Sequence, residues 1–332
     1  MTQTDAKSAS EDNKTRKFSV QMPQVKIPYD DTYLCTAIDI SSNETKTLYI
    51  TQFIPHALQS VAHHLLLYAC RTPGSDAAAW NCGGPMAETD NPETKLPHAT
   101  ICGDGEIETI LWAWAKGAPK LELPHGVGFE VGPSTGLNFL VFNAHFKSKT
   151  VANENNAVYN TGVTVSATTE QQPKVAGIYL SMSMLGSVPP HKKKNFDIIC
   201  SYHGGTVMHP FAFRVHTHAL GFRVSGYKVS TGIVDRWIEI GNENPQHPEA
   251  FYPVKDKFLS ISNGDWLASR CEMFNFRNST TNIGMKHTDE MCNFYIMYWK
   301  HRDKNSAKVK TMVCKNGFPW THWRNKFNNL PF

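Results

Sequence analysis

The sequence predicts an all-β chain of two tandem antiparallel β-sandwiches, jelly-roll-like, and three observations lead there. Short runs rich in β-branched and aromatic residues recur between Gly, Pro and Asn clusters, whereas long amphipathic helical stretches are absent. At 332 residues the chain suits two units of about 150 residues, each able to bury its own core. A polar stretch, Thr168-Thr169-Glu170-Gln171-Gln172-Pro173, lies near the midpoint, where few packed contacts need cross. The expected division is therefore a disordered leader at 1–17, a first sandwich at 18–170 and a second at 171–332.

Composition narrows the class further. Hydrophobic residues make up 41% and charged ones 19%, which is ordinary for a folded globular protein. A net charge of +4 is too small to argue for nucleic acid as a partner. No apolar run reaches the roughly 18 residues that a membrane-spanning helix needs, so no integral membrane segment is expected. The eight cysteines are even in number and none forms a CxxC pair, which favours a four-disulfide framework in an oxidising compartment over a zinc ribbon or redox motif. Sequons at Asn13, Asn43 and Asn278 agree with a secreted or secretory-granule location. Met1–Lys17 is polar throughout, so an entry signal would be removed or absent.

Taken in chain order, the leader gives way near Phe18 to strands such as 47–51, 137–146, 162–167 and 177–182. The segment Val61-Ala62-His63-His64-Leu65 has adjacent histidines that a regular strand would turn to opposite faces. Both reach one ion only if a bulge or strand end re-aims one of them; otherwise one is buried and the other solvated. His145, on the apolar run Phe139–Phe146, needs a buried partner, either an acceptor or a metal, and would complete a three-histidine site. Further on, Phe211–His218 alternates so that Arg214, His216 and His218 share one strand face, a common metal-binding arrangement. The same alternation in Asp289–Met297 sets Met291, Asn293 and Tyr295 on one face and Cys292 on the other. A thioether beside two imidazoles suits copper, Cu(I) above all, and not zinc, provided that the two strands are neighbours. Arg214, Asn293 and Tyr295 together offer a clamp for a carboxylate; the alternative for Arg214 is a salt bridge to an internal acid.

Several segments, in order along nearly the whole chain from Phe18, resemble the catalytic core of the peptidylglycine α-hydroxylating monooxygenases. They are Asp31–Cys35, His63–Cys70, Leu111–Ala115, Gly126–Phe129, Phe213–His218 with Leu220-Gly221, and Asp289–Tyr298. The resemblance implies two copper ions, in domains facing one another across a cleft: one held by His63, His64 and His145, and one by His216, His218 and Met291. It implies disulfides Cys35–Cys82, Cys70–Cys102, Cys200–Cys314 and Cys271–Cys292, which use every cysteine. It also places peptide-carboxylate binding at Arg214, Asn293 and Tyr295, and catalysis at His216, His218, Met291 and Tyr295.

The reaction implied is hydroxylation of the α-carbon of a C-terminal glycine, with O2 as cosubstrate and ascorbate as reductant. A separate lyase would complete amidation, since this chain is expected to stop at the hydroxylated intermediate; it is expected to act as a monomer on glycine-extended peptides. Departures from the vertebrate pattern are a missing disulfide near Asn160–Gly162, a longer segment between Cys82 and Cys102, and Asn143 where glutamine is common. The rival readings are a related phenethylamine-hydroxylating copper enzyme, a secreted β-sandwich binding protein without turnover, and a zinc lyase, which Met291 disfavours.

Overall fold

The structure is a computed structural model that describes residues 14–42, 44–83, 96–106, 108–154, 157–230, 235–302 and 311–315. The chain forms two compact units, residues 1–177 with 301–310 and residues 178–300 with 311–332. The first unit holds β1 (Thr15–Gln21), β2 (Thr32–Asp39), β3 (Leu48–His56), β4 (Ala62–Cys70), β5 (Trp80–Asn81) and β6 (Thr109–Ala115). It continues with β7 (Leu121–Glu122), β8 (Val127–Val131), β9 (Phe139–Phe146), the short helix α1 (Lys149–Asn153) and β10 (Gly162–Thr168). Then follow β11 (Lys174–Met182), β12 (Ser187–Val188), β13 (Lys193–Ser201), β14 (His209–His216), β15 (Gly221–Ser230) and β16 (Arg236–Glu243). The last strands are β17 (Tyr252–Pro253), β18 (Trp266–Phe274), β19 (Thr281–Asn282), β20 (Asn293–His301) and β21 (Met312–Lys315). Among the described residues no helix is long and apolar enough to cross a membrane.

In the first unit one sheet runs β1-β10-β3-β8 and the other β5-β2-β9-β4-β6. They share a core: Phe53 of β3 stacks on Trp112 of β6 with centroids 6.1 Å apart. In the second unit the sheets are β13-β18-β15-β16 and β11-β20-β14-β17. Val224, Leu267 and Cys271 from the former lie in one buried cluster with Phe213, Val215, Phe294 and Ile296 from the latter. Each unit is thus a sandwich whose inward-facing alternate residues fill the space between sheets. Most pairings are antiparallel; β21 on β11, and the start of β11 on β8, are parallel.

Two details depart from the sequence expectation. The first strand begins at Thr15, inside the expected leader, and pairs with β10 from Thr15↔Thr168 to Gln21↔Gly162. An edge strand keeps one face in water, so the polar residues Thr15, Arg16 and Lys17 are compatible with pairing; residues 1–13 lie outside the described residues. In addition, β14 ends at His216 and β20 starts at Asn293, so His218 and Met291 both lie just beyond the paired strands.

Four disulfides join Cys35–Cys82, Cys70–Cys102, Cys200–Cys314 and Cys271–Cys292, the pairs that the resemblance implies. Of the sequons, Asn278 is exposed, while Asn13 and Asn43 lie outside the described residues. So does residues 84–95, most of the Cys82–Cys102 segment.

Candidate metal centres

The first cluster arises from strand register. In the β4–β9 pairing, Ala62 faces Phe146 and His64 faces His145, so His63 is the extra residue of a bulge. A bulge re-aims one side chain, and here it turns His63 to the side already occupied by His64 and His145. One ring nitrogen from each of the three lies within 4.8 Å of the others. His63 and His64 approach through their Nδ1 atoms at 3.2 Å. His145 is fully buried, its Nε2 donates to Asp31 Oδ1 at 3.0 Å, and its lone pair therefore sits on Nδ1. Tyr33, opposite His145 in the β2–β9 register, stacks on that ring at 4.0 Å. Asp31 adopts a left-handed backbone, φ 58°, a conformation that Asp tolerates better than most residues. Asn143, two residues before His145 on the same strand face, donates to Cys82 Sγ at 3.0 Å.

The second cluster sits at one end of the β14–β20 pair. These strands are antiparallel neighbours, with Arg214 opposite Tyr295 and His216 opposite Asn293. His218 and Met291 each lie two residues beyond that last pair. Glu290 explains why the chain stays together there after the ladder ends: its buried carboxylate accepts from the amides of His218 at 3.0 Å, Leu220 at 2.6 Å and Met291 at 3.3 Å. The His216 and His218 rings meet edge to face at 5.3 Å. His218 Nδ1 donates to the Asp289 carbonyl at 2.9 Å and His216 Nδ1 to Glu249 Oε2 at 2.6 Å. Both rings therefore carry their lone pair on Nε2, the nitrogen that could ligate a metal. Cys292, on the opposite face from Met291, is buried in the core and tied to Cys271 of β18.

Beside this cluster lie the residues singled out for a carboxylate. Tyr295 is buried, with the Asn293 amide and the Arg214 guanidinium near its hydroxyl. Burial, which outweighs the nearby Arg214 cation, pushes this phenol above its ordinary range and keeps it a neutral donor. The Arg214 guanidinium carbon is 5.1 Å from the centre of the Tyr295 ring. The internal ion pair weighed for Arg214 is also present: Nη2 donates to Glu249 Oε2 at 2.7 Å and Nε to the Glu249 carbonyl at 3.0 Å.

His63, His64 and His145 come together in the first unit, and His216 and His218, with Arg214, Asn293 and Tyr295 on the same strand pair, in the second; Met291 follows Glu290 in the chain at the same end of β20. The sequence reading did not single out Asp31, Tyr33, Glu249 or Glu290. Asp31, Tyr33 and Glu290 fall inside the motifs quoted above, whereas Glu249 follows an unpatterned loop and carries no local signal.

A cluster of three imidazoles in one β-sandwich unit and a pair of imidazoles in the other define a protein with the donor groups of an imidazole-based metal centre, a set that suits copper among other metals. Residues 18–153 match the N-terminal domain model of the copper type II ascorbate-dependent monooxygenases, and residues 174–327 match the C-terminal one. The chain belongs to that family. It is 42% identical over 316 residues to peptidyl-glycine alpha-amidating monooxygenase B of Xenopus laevis, covering 95% of this chain and 32% of that protein. With peptidylglycine alpha-amidating monooxygenase of Rattus norvegicus it shares 39% identity over 285 residues, 85% of this chain and 26% of the rat protein. DBH-like monooxygenase protein 1 of Homo sapiens is 22% identical over 300 residues, 85% of this chain and 47% of that protein. The chain spans about a third of the length of the amidating relatives it matches.

Proposed function

We propose that this chain is a secretory-pathway enzyme that hydroxylates the α-carbon of C-terminal glycine in peptides. In this reading His63, His64 and His145 hold one copper in a domain spanning 18–170. His216, His218 and Met291 hold a second in a domain spanning 171–332. The observation that carries the reading is the convergence of Arg214, Asn293 and Tyr295 on one buried spot next to His216, through the β14–β20 register. Identity to amidating relatives near 40%, against 22% to the DBH-like protein, supports a peptide over an amine as substrate.

The balance is one C–H bond and O2 consumed, with two electrons and two protons, to give one C–OH bond and water. The electrons come from two ascorbate molecules. Bound copper would supply the one-electron steps and oxygen activation. The residues of this chain supply placement. Asn293, Tyr295 and Arg214 donate to the peptide carboxylate and so fix the adjacent α-carbon, and the burial of this cluster keeps water from competing for those donors. The hydroxyglycine product still needs C–N cleavage, a lyase reaction, to yield an amide.

The test is ascorbate-dependent oxygen uptake by the copper-loaded chain with a glycine-terminated peptide, with the product read by mass spectrometry. A mass gain of one oxygen with copper and none with zinc is expected. Hydroxylation of a phenethylamine in place of the peptide would transfer the chain to the amine-acting branch, and no reaction with either would leave a binding role.

A further inference from the structure

We propose that Glu249 is a positioning residue that ties the His216 metal-ligand ring and the Arg214 guanidinium into one unit, fixing both for a ligand carboxylate beside the metal. The inference rests on the reading above of His216 as a ligand and Arg214 as part of the carboxylate site. Glu249 lies between β16 and β17, 33 residues from His216 and 35 from Arg214 in sequence. Its side chain is fully buried, and the single oxygen Oε2 accepts from both: His216 Nδ1 at 2.6 Å and Arg214 Nη2 at 2.7 Å. The main-chain carbonyl of the same residue takes Arg214 Nε at 3.0 Å. A carboxylate on Nδ1 fixes the ring so that Nε2 carries the lone pair, as outer partners of ligating histidines do elsewhere. The grip on Nε and Nη2 fixes the guanidinium plane by one edge, so the Nη1 side is where an incoming carboxylate is received.

The loop that carries Glu249 is itself held. Gln246 Nε2 donates to the carbonyls of His218 and Gly221, each at 2.7 Å. Tyr252, at the start of β17, donates its hydroxyl proton to the Pro248 carbonyl at 2.5 Å. The loop is thus anchored to the turn after the second histidine on one side and to β17 on the other, and β17 pairs with β14. Glu249 is thereby placed by the same elements that place the groups it orients.

Three measurements test this, and none uses turnover, so failure of the hydroxylase reading is registered separately by the oxygen-uptake assay. In the full chain without metal, 15N NMR of the His216 ring should report the Nδ1-protonated tautomer; an Nε2-protonated ring overturns the proposal whatever the variants do. In a His145→Ala background, which leaves the second donor set, Glu249→Ala should weaken copper binding about tenfold or more by chelator competition. Glu249→Gln, which keeps an acceptor oxygen, should stay within about threefold of the parent. By calorimetry without ascorbate, Glu249→Ala should also abolish the preference for a glycine-terminated peptide over its C-terminal amide, and Glu249→Gln should restore it. Unchanged copper affinity, or an unchanged acid-over-amide preference, in a folded Glu249→Ala overturns the coupling. If Glu249→Ala does not fold, a Glu249→Gln chain with the wrong His216 tautomer does so equally.

Discussion

Tyr295 and Arg214 face each other across two strands, and their chemistry separates binding from catalysis. Tyr295 is a neutral phenol among donors, so Tyr295→Phe should remove one hydrogen bond to the carboxylate, about 1 kcal/mol. The expected result is a KM for glycine-terminated peptide raised about five- to tenfold with kcat unchanged; a fall in kcat alone would make the phenol a participant in the chemistry. Arg214→Ala should act more strongly. Loss of a buried charge partner costs about 2 to 5 kcal/mol, so peptide use should fall roughly 30-fold or more, and thermal stability should fall too because Glu249 loses its cation. Normal kcat/KM in that variant would remove Arg214 from the site. At this scale the sequence was legible where alternation operates: Arg214, His216 and Asn293, Tyr295 share faces because strand periodicity is two. Glu249 was not legible, because a loop residue brought in from 33 positions away has no period to betray it. His63 was legible only as a condition, since a bulge is a property of the pairing with β9 and not of β4 alone.

Strands β13, β18 and β15 pin their register with partly buried polar pairs. Arg270 of β18 is buried and makes a two-pronged contact with Asp197 of β13, its direct cross-strand partner, at 2.6 and 3.0 Å. At the other end of β18, Asp265 accepts from Lys228 Nζ at 3.0 Å and Ser230 Oγ at 2.9 Å, both on β15, and from the Ser262 amide at 2.7 Å. Burial works to raise the Asp265 carboxyl, but the hydrogen bonds from Ser262, Lys228 and Ser230 outweigh it and leave it below the ordinary aspartate value. An acid with a depressed folded pKa stabilises the fold above its unfolded pKa, and that stability is lost as pH falls through the folded value. Asp265→Asn should therefore be destabilised by about 1 kcal/mol at pH 7, and the gap to the parent in urea melts should close as pH falls below the ordinary aspartate range. A gap that is constant with pH would assign the effect to shape and not to charge. The longer strands were visible as alternating or continuous apolar runs, as in β9 and β11. Two-residue strands such as β5, β12 and β19 carry no pattern, and their pairing is decided by neighbours.

Over the whole molecule, the polar midpoint stretch pointed to two units, but the division also has a part that no linear reading reaches. Arg302, far beyond the midpoint, returns to the first unit, donating its amide to the Pro173 carbonyl at 3.1 Å and its guanidinium to Tyr49 at 2.6 Å. The eight cysteines close within the units, two disulfides in each. The Cys271–Cys292 loop, worth about 3 kcal/mol on a chain-entropy account, ends next to Met291. Because the residues of each proposed donor set belong to a single unit, the two should load with metal independently. The chain should bind two equivalents of copper by elemental analysis after gel filtration, and His145→Ala and His218→Ala should each bind one. Copper at about a thousandfold excess over Kd adds about 4 kcal/mol to a site it occupies, so a thermal shift on copper addition should persist, reduced, in either variant. Loss of both equivalents from a single substitution would mean that the sites are built jointly, and a parent stoichiometry of one would remove one donor set as a metal centre.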